Sequence, residues 1–159
     1  MFLLVVWIIS WLTIALFVWE SSSYNTAHKE GGDHFSVRFG ILGVNSSGDY
    51  FLEQETATIP LKYKDSGFRY GLEIVPPDDE SFTYQCVFHF SAAPKVLTGE
   101  AFENSVPSAT LRTPKVEYKG TAIEYYWFDP GDPTGAQSVD IFVNDKLIKT
   151  INYTVVTEK

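Results

Sequence analysis

The sequence predicts an all-β fold: an immunoglobulin-like antiparallel β-sandwich of about seven strands, preceded by an N-terminal hydrophobic helix. Three observations carry that reading. Apolar and polar residues alternate with period two in GFRYGLEIV (67–75) and FTYQCVFHF (82–90), as half-buried strands require. Aromatic residues reach 16%, an abundance that favours strands over helices. Two further alternating runs, SVDIFV and KLIKTINYTVV, flank Asn144-Asp145, both of which tolerate positive φ and so close a hairpin.

The elements follow in chain order. FLLVVWIISWLTIALFVW, from Phe2 to Trp19, carries no charge. As a helix it would extend roughly 27 Å, close to the thickness of a hydrocarbon core. Residues 1–20 are therefore expected to be a signal peptide or a transmembrane anchor. The small residues of ESSSYNTA would suit cleavage, and Trp19 would suit a membrane interface. SSSYNTAHKEGGD (21–33) is small and polar and reads as a flexible tether. The domain proper is expected over 34–157. In it, Phe35, Val37 and Phe39 share one face of HFSVRFGILGV, and NSSGD turns the chain. YFLEQETATIPLKY is a weaker strand region broken by Pro60. In GFRYGLEIV, the residues Phe68, Tyr70, Leu72 and Ile74 face one way; after the loop PPDDES, so do Phe82, Tyr84, Cys86, Phe88 and Phe90. These two segments are expected to be antiparallel neighbours. Residues 91–114 read as a long connection between sheets, and TAIEYYWFD (121–129) as another strand.

At this point the residues resemble a bacterial family of exported domains of unknown function with an immunoglobulin-like sandwich. The pieces that carry the likeness are FGILGV, TATIPLKYKDSGFRYGLEIV, PKVLTGEAF and GAQSVDIFVNDKLIKTINYTV, between about Phe35 and Val155. SVDIF stands where members of the family tend to carry a Trp. The resemblance implies an exported or envelope protein and supplies no catalytic residue.

Charge and motif content narrow the function. A formal charge of −8 and a pI near 4.8 disfavour nucleic acid. Cys86 is the only cysteine, so no internal disulfide forms, and no lipoprotein anchor follows the apolar segment. Cys86 and His89 are three apart in a strand and so point to opposite faces, which argues against a reactive pair. With no G-x-S-x-G, H-E-x-x-H or C-x-x-C motif, the sequence predicts a protein that is not an enzyme and uses no cofactor. Asp78, Asp79 and Glu80 share one loop and are the candidate metal ligands.

In IEYYWF, Ile123, Tyr125 and Trp127 alternate with Glu124, Tyr126 and Phe128, and only one of these sets can face a core. Exposed aromatics gain affinity in protein interfaces and sugar-binding modules. Tyr126 and Phe128, with His89 and Gln85 on a polar strand face, are the candidate binding residues. The expected function is a non-catalytic interaction module of the cell envelope, with an envelope protein as partner. The alternatives are a carbohydrate-binding module for a polysaccharide and a metal-dependent hydrolase built on loop carboxylates. The expected location is the bacterial periplasm, tethered to the inner membrane through the N-terminal segment or released after cleavage.

Overall fold

Alternation along each segment becomes two facing sheets in the computed structural model, which describes residues 34–97, 101–103 and 106–157. The apolar segment at 2–19 and the tether lie outside the described residues. Among the described residues ten strands form: β1 (Ser36–Val44), β2 (Tyr50–Glu55), β3 (Thr58–Pro60), β4 (Arg69–Val75), β5 (Ser81–His89), β6 (Thr110–Arg112), β7 (Val116–Lys119), β8 (Ala122–Tyr126), β9 (Gly135–Val143) and β10 (Lys146–Val156). One sheet has the order β2-β1-β4-β8. The other runs β3-β10-β9-β5-β6, with β7 also beside β5. Reading β4, β5, β8, β9 and β10 as strands B, C, E, F and G places B with E and C with F and G, the division of an immunoglobulin-like sandwich.

The count exceeds seven for physical reasons. β6 and β7 are one edge strand interrupted at Thr113-Pro114-Lys115, and both halves pair with β5. The missing backbone bond is replaced by the Thr113 hydroxyl, which accepts from the Cys86 N–H at 2.9 Å. Pro60 does not break the weaker region but ends β3, which runs parallel to β10 at a sheet edge. The expected hairpin forms, with φ of 49° at Asn144 and 64° at Asp145.

Two expectations about pairing are corrected. β4 and β5 are not neighbours; they lie in opposite sheets, joined by an arch. In one sheet their aromatic faces would line the same wall, whereas in opposed sheets they form the two walls of the core. The 91–114 segment does not connect the sheets either, because it leaves β5 and returns beside it as β6. The crossing comes later, between β7 and β8.

The core lies between the sheets and includes Val37, Phe39, Tyr70, Leu72, Ile74, Phe82, Tyr84, Cys86, Phe88, Val139, Ile141 and Tyr153. Each large apolar side chain contributes about 1.5–3 kcal/mol on burial. Outside the four-stranded sheet, Gly40 and Gly71 are direct cross-strand partners. A Cβ on Gly71 would sit 1.9 Å from the Glu124 carbonyl oxygen, and one on Gly40 would sit 1.9 Å from that of Gln54. Only glycine lets the outer strands close in this far. As a result Tyr50 of β2 and Tyr125 of β8, on strands that are not adjacent, bring their rings to 4.5 Å.

Candidate functional site

The cleft opens at the end of the sandwich where β5 and β8 finish and β4 and β9 begin. Its aromatic wall is Phe88, Phe90, Phe102, Tyr126 and Phe128, closed below by Leu111, and it encloses about 60 Å³. The rings lock one another. Phe88 stacks on Phe90 at 5.7 Å and meets Tyr126 edge-on at 4.7 Å, while Phe102 meets Phe88 edge-on at 5.9 Å. Such offset and edge-on contacts suit the ring quadrupole. Val96, 52% exposed, stands at the mouth.

Three polar residues line this apolar space. Gln137 is only 6% exposed, and its Nε2 donates to the Pro133 carbonyl at 2.7 Å. That bond directs Oε1 elsewhere, buried and without a hydrogen-bond partner among the described residues. The Tyr126 hydroxyl is likewise buried and unpartnered, and it lies against the Cys86 thiol. Asp132 accepts from the Asp129 N–H at 2.8 Å. Burial raises the Asp132 carboxyl above its usual range, the neighbouring Asp129 adds to this, and the hydrogen bond opposes it.

A second polar cluster sits inside the sandwich. The Tyr84 hydroxyl donates to Glu124, which β8 points inward. Burial raises the Glu124 carboxyl despite that bond. Burial also pushes the Cys86 thiol up to about 12, with Tyr126 pulling the other way. Among the described residues no hydrogen bond joins the Cys86 thiol to a base, and the Tyr84–Glu124 bond ties β5 to β8 across the sandwich.

The four candidate binding residues do not make one surface. Tyr126 and Phe128 are 5% and 2% exposed, which corrects the expectation that this aromatic set faces solvent. The register of β8 on β4 sets Tyr126 opposite Tyr70, and partners across a ladder share a face. The outward set is Ile123, Tyr125 and Trp127. His89 and Gln85 lie on the far side of the other sheet. His89 Nε2 is 3.0 Å from Asp140 Oδ2, and Gln85 Nε2 donates to the Thr113 carbonyl at 2.9 Å and to Glu103 at 3.1 Å. Cys86 and His89 do point to opposite faces.

The acidic loop is at the other end of the sandwich from the cleft. Asp78 turns back to accept the Glu80 N–H at 3.0 Å. Among the described residues, no three His, Cys, Asp or Glu side chains converge as metal ligands, so the candidate set Asp78, Asp79 and Glu80 is not assembled into a site.

Gln137 escaped the sequence reading, although a signal was present. It occupies an inward position of β9, in line with Val139, Ile141 and Val143. A polar residue in that row signals a buried hydrogen bond, here to the Pro133 carbonyl.

Comparison with known proteins closes the description. A model of the PM0630 beta sandwich domain family matches residues 37–156. Among solved structures, an immunoglobulin-like protein of Pseudomonas aeruginosa is 14% identical with a TM-score of 0.45, covering 81% of this chain and 100% of its own. A β-glucosidase of Listeria innocua in complex with glucose is 10% identical at 0.38, over 80% of this chain and 17% of the glucosidase. The alkylpurine DNA glycosylase AlkC of Pseudomonas fluorescens is 9% identical at 0.37, over 78% of this chain and 31% of that one. No curated protein matches this sequence. The activities of the two enzymes belong to those proteins.

Proposed function

We propose, from the premise that this chain belongs to the PM0630 beta sandwich domain family, that it is a non-catalytic binding domain of an exported protein and grips a protein partner of the cell envelope at the cleft. Export rests on the uncharged apolar segment at 2–19. The observation that carries the binding reading is the cleft itself: an aromatic-walled opening at a loop end, lined also by Gln137 and Asp132.

The other surfaces offer less. The β10 edge is guarded by a bulge between Leu147 and Lys149, and Lys149 Nζ spans the opening to the Val37 carbonyl at 2.6 Å. Bulges and inward-pointing lysines are devices that prevent strand addition. The outward aromatics are poor sugar platforms. Tyr50 and Tyr125 cover each other, and Lys64 Nζ sits 4.4 Å from the Trp127 ring centre.

The test is site-specific photocrosslinking in cells. A benzoylphenylalanine placed at position 96 is expected to give an adduct of defined mass, and one at 147, on the hairpin at the opposite end, is expected to give none. The crosslinked peptide is then mapped, and its substitution abolishes the adduct. Equal capture from both positions would overturn the proposal.

A further inference from the structure

Tyr50 and Tyr125 are the one place, among the described residues, where two tyrosines that both reach solvent lie ring against ring. Their ring centres are 4.5 Å apart and their planes 32° apart. That is close to the spacing of two rings joined by a single carbon–carbon bond. Tyr125 is 41% exposed and Tyr50 half-buried. Gly71 stands opposite Tyr125 and Gly40 opposite Gly71, so the two inner strands raise no side chain in that row. The other close tyrosine pairs are Tyr70–Tyr126 at 5.9 Å, Tyr70–Tyr153 at 6.4 Å and Tyr84–Tyr118 at 6.1 Å. Each contains a buried ring, Tyr70 or Tyr84.

The surroundings leave this pair open to a one-electron oxidant. A thiol competes for oxidant only when it is accessible, and Cys86, the sequence's only cysteine, is fully buried. The Trp127 ring centre lies 6.3 Å from that of Tyr125. Lys64 Nζ is 4.4 Å and the Arg69 guanidinium 5.5 Å from the same indole, and both cations oppose the loss of an electron there. An oxidising equivalent is therefore directed to the phenols.

We propose that Tyr50 and Tyr125 form a site of oxidative cross-linking, a dityrosine bond that clasps β2 to β8 across the four-stranded sheet, with a peroxide as the oxidant. Each phenol gives up one electron and one proton. The two radicals couple through ring carbons ortho to their oxygens, and the ortho hydrogens move as protons to restore both hydroxyls. The pair ends two hydrogens short. Hydrogen peroxide takes up the two electrons and two protons, and its O–O bond breaks to give two waters. The site is independent of the cleft.

The experiment treats the purified full chain, dilute enough to suppress coupling between molecules, with hydrogen peroxide and a haem peroxidase. Dityrosine fluorescence follows the reaction and tryptic mass spectrometry maps it. Tyr50 is the only tyrosine of peptide 39–62, and peptide 120–146 holds Tyr125 and Tyr126. The expected product is a monomer with these two peptides joined, two hydrogens lighter, and fragmentation places the bond at Tyr125. Tyr50→Phe and Tyr125→Phe each keep the ring and are each expected to abolish this product. Tyr118→Phe, at a tyrosine 37% exposed, is expected to leave its yield unchanged. The cross-linked chain is expected to unfold at a higher urea midpoint than the parent, because the link constrains the unfolded ensemble. Coupling only between molecules, a bond placed at other tyrosines, or no dityrosine at all overturns the proposal. So does a 39–62 to 120–146 product that survives Tyr125→Phe, or a cross-linked chain no more stable than the parent.

Discussion

Cys86 offers a sharp test of the strand facing. It is fully buried on the inward face of β5, and burial pushes its thiol up to about 12. At pH 8 that leaves about one thiol in ten thousand as thiolate, against about a quarter for an unperturbed cysteine near 8.5. The loss of thiolate is about 2,000-fold. A more basic thiolate is intrinsically more nucleophilic, which restores about 30-fold and leaves a net deficit of about 50-fold or more. Access adds to the deficit. A disulfide reagent has no path to the sulfur until β5 separates from Thr113 and Tyr126, and opening a core strand approaches the cost of global unfolding. The folded chain is therefore expected to react with Ellman's reagent at least about a thousandfold more slowly than the same chain in guanidinium, in one phase that follows the unfolding equilibrium. Labelling less than about 50-fold slower would show that Cys86 faces solvent, and would refute the facing of β5 and with it the two-wall core.

Two further outcomes test the strand contacts. Gly71→Ala would drive a Cβ to 1.9 Å from the Glu124 carbonyl oxygen, a backbone atom that cannot step aside without disturbing the β4–β8 ladder; a loss of about 3 kcal/mol is expected in urea denaturation, and a change under about 0.5 kcal/mol would contradict the close approach. Glu124 is raised by burial above its unfolded value near 4.3, so the folded state holds its proton more tightly, and stability falls as pH rises from about 4.3 through the raised value. Glu124→Gln keeps an acceptor for Tyr84 and carries no charge; its urea midpoint is expected to fall less than the parent's across that window, where Asp132 still titrates, and to be higher than the parent's at pH 7, and a lower midpoint at pH 7 would refute the burial argument.

Much of the fold was legible because strand geometry is local. A period of two assigns Phe82, Tyr84, Cys86 and Phe88 to one face whatever the strand pairs with, and all four are buried. The same parity separated Cys86 from His89. The Asn144-Asp145 turn was readable because positive φ is a property of those two residues and not of their surroundings. The candidate site was less legible. Both faces of IEYYWF are aromatic, so alternation defined two sets without ranking them. The β4–β8 register ranked them, by setting Tyr126 beside Tyr70 and placing the glycine pair on the other side.

By itself, then, the sequence determined the strand faces, the closing hairpin, an uncharged apolar N-terminal segment and an acidic single-cysteine chain. Each is settled by neighbours a few residues away. Only the tertiary structure decided that β4 and β5 stand in opposite sheets, that Tyr126 and Phe128 turn inward, and that Phe88, Phe102 and Gln137 meet around one cleft. The reason is that apolar faces distant in the chain are buried only against one another, and which of them meet is a property of the packed whole.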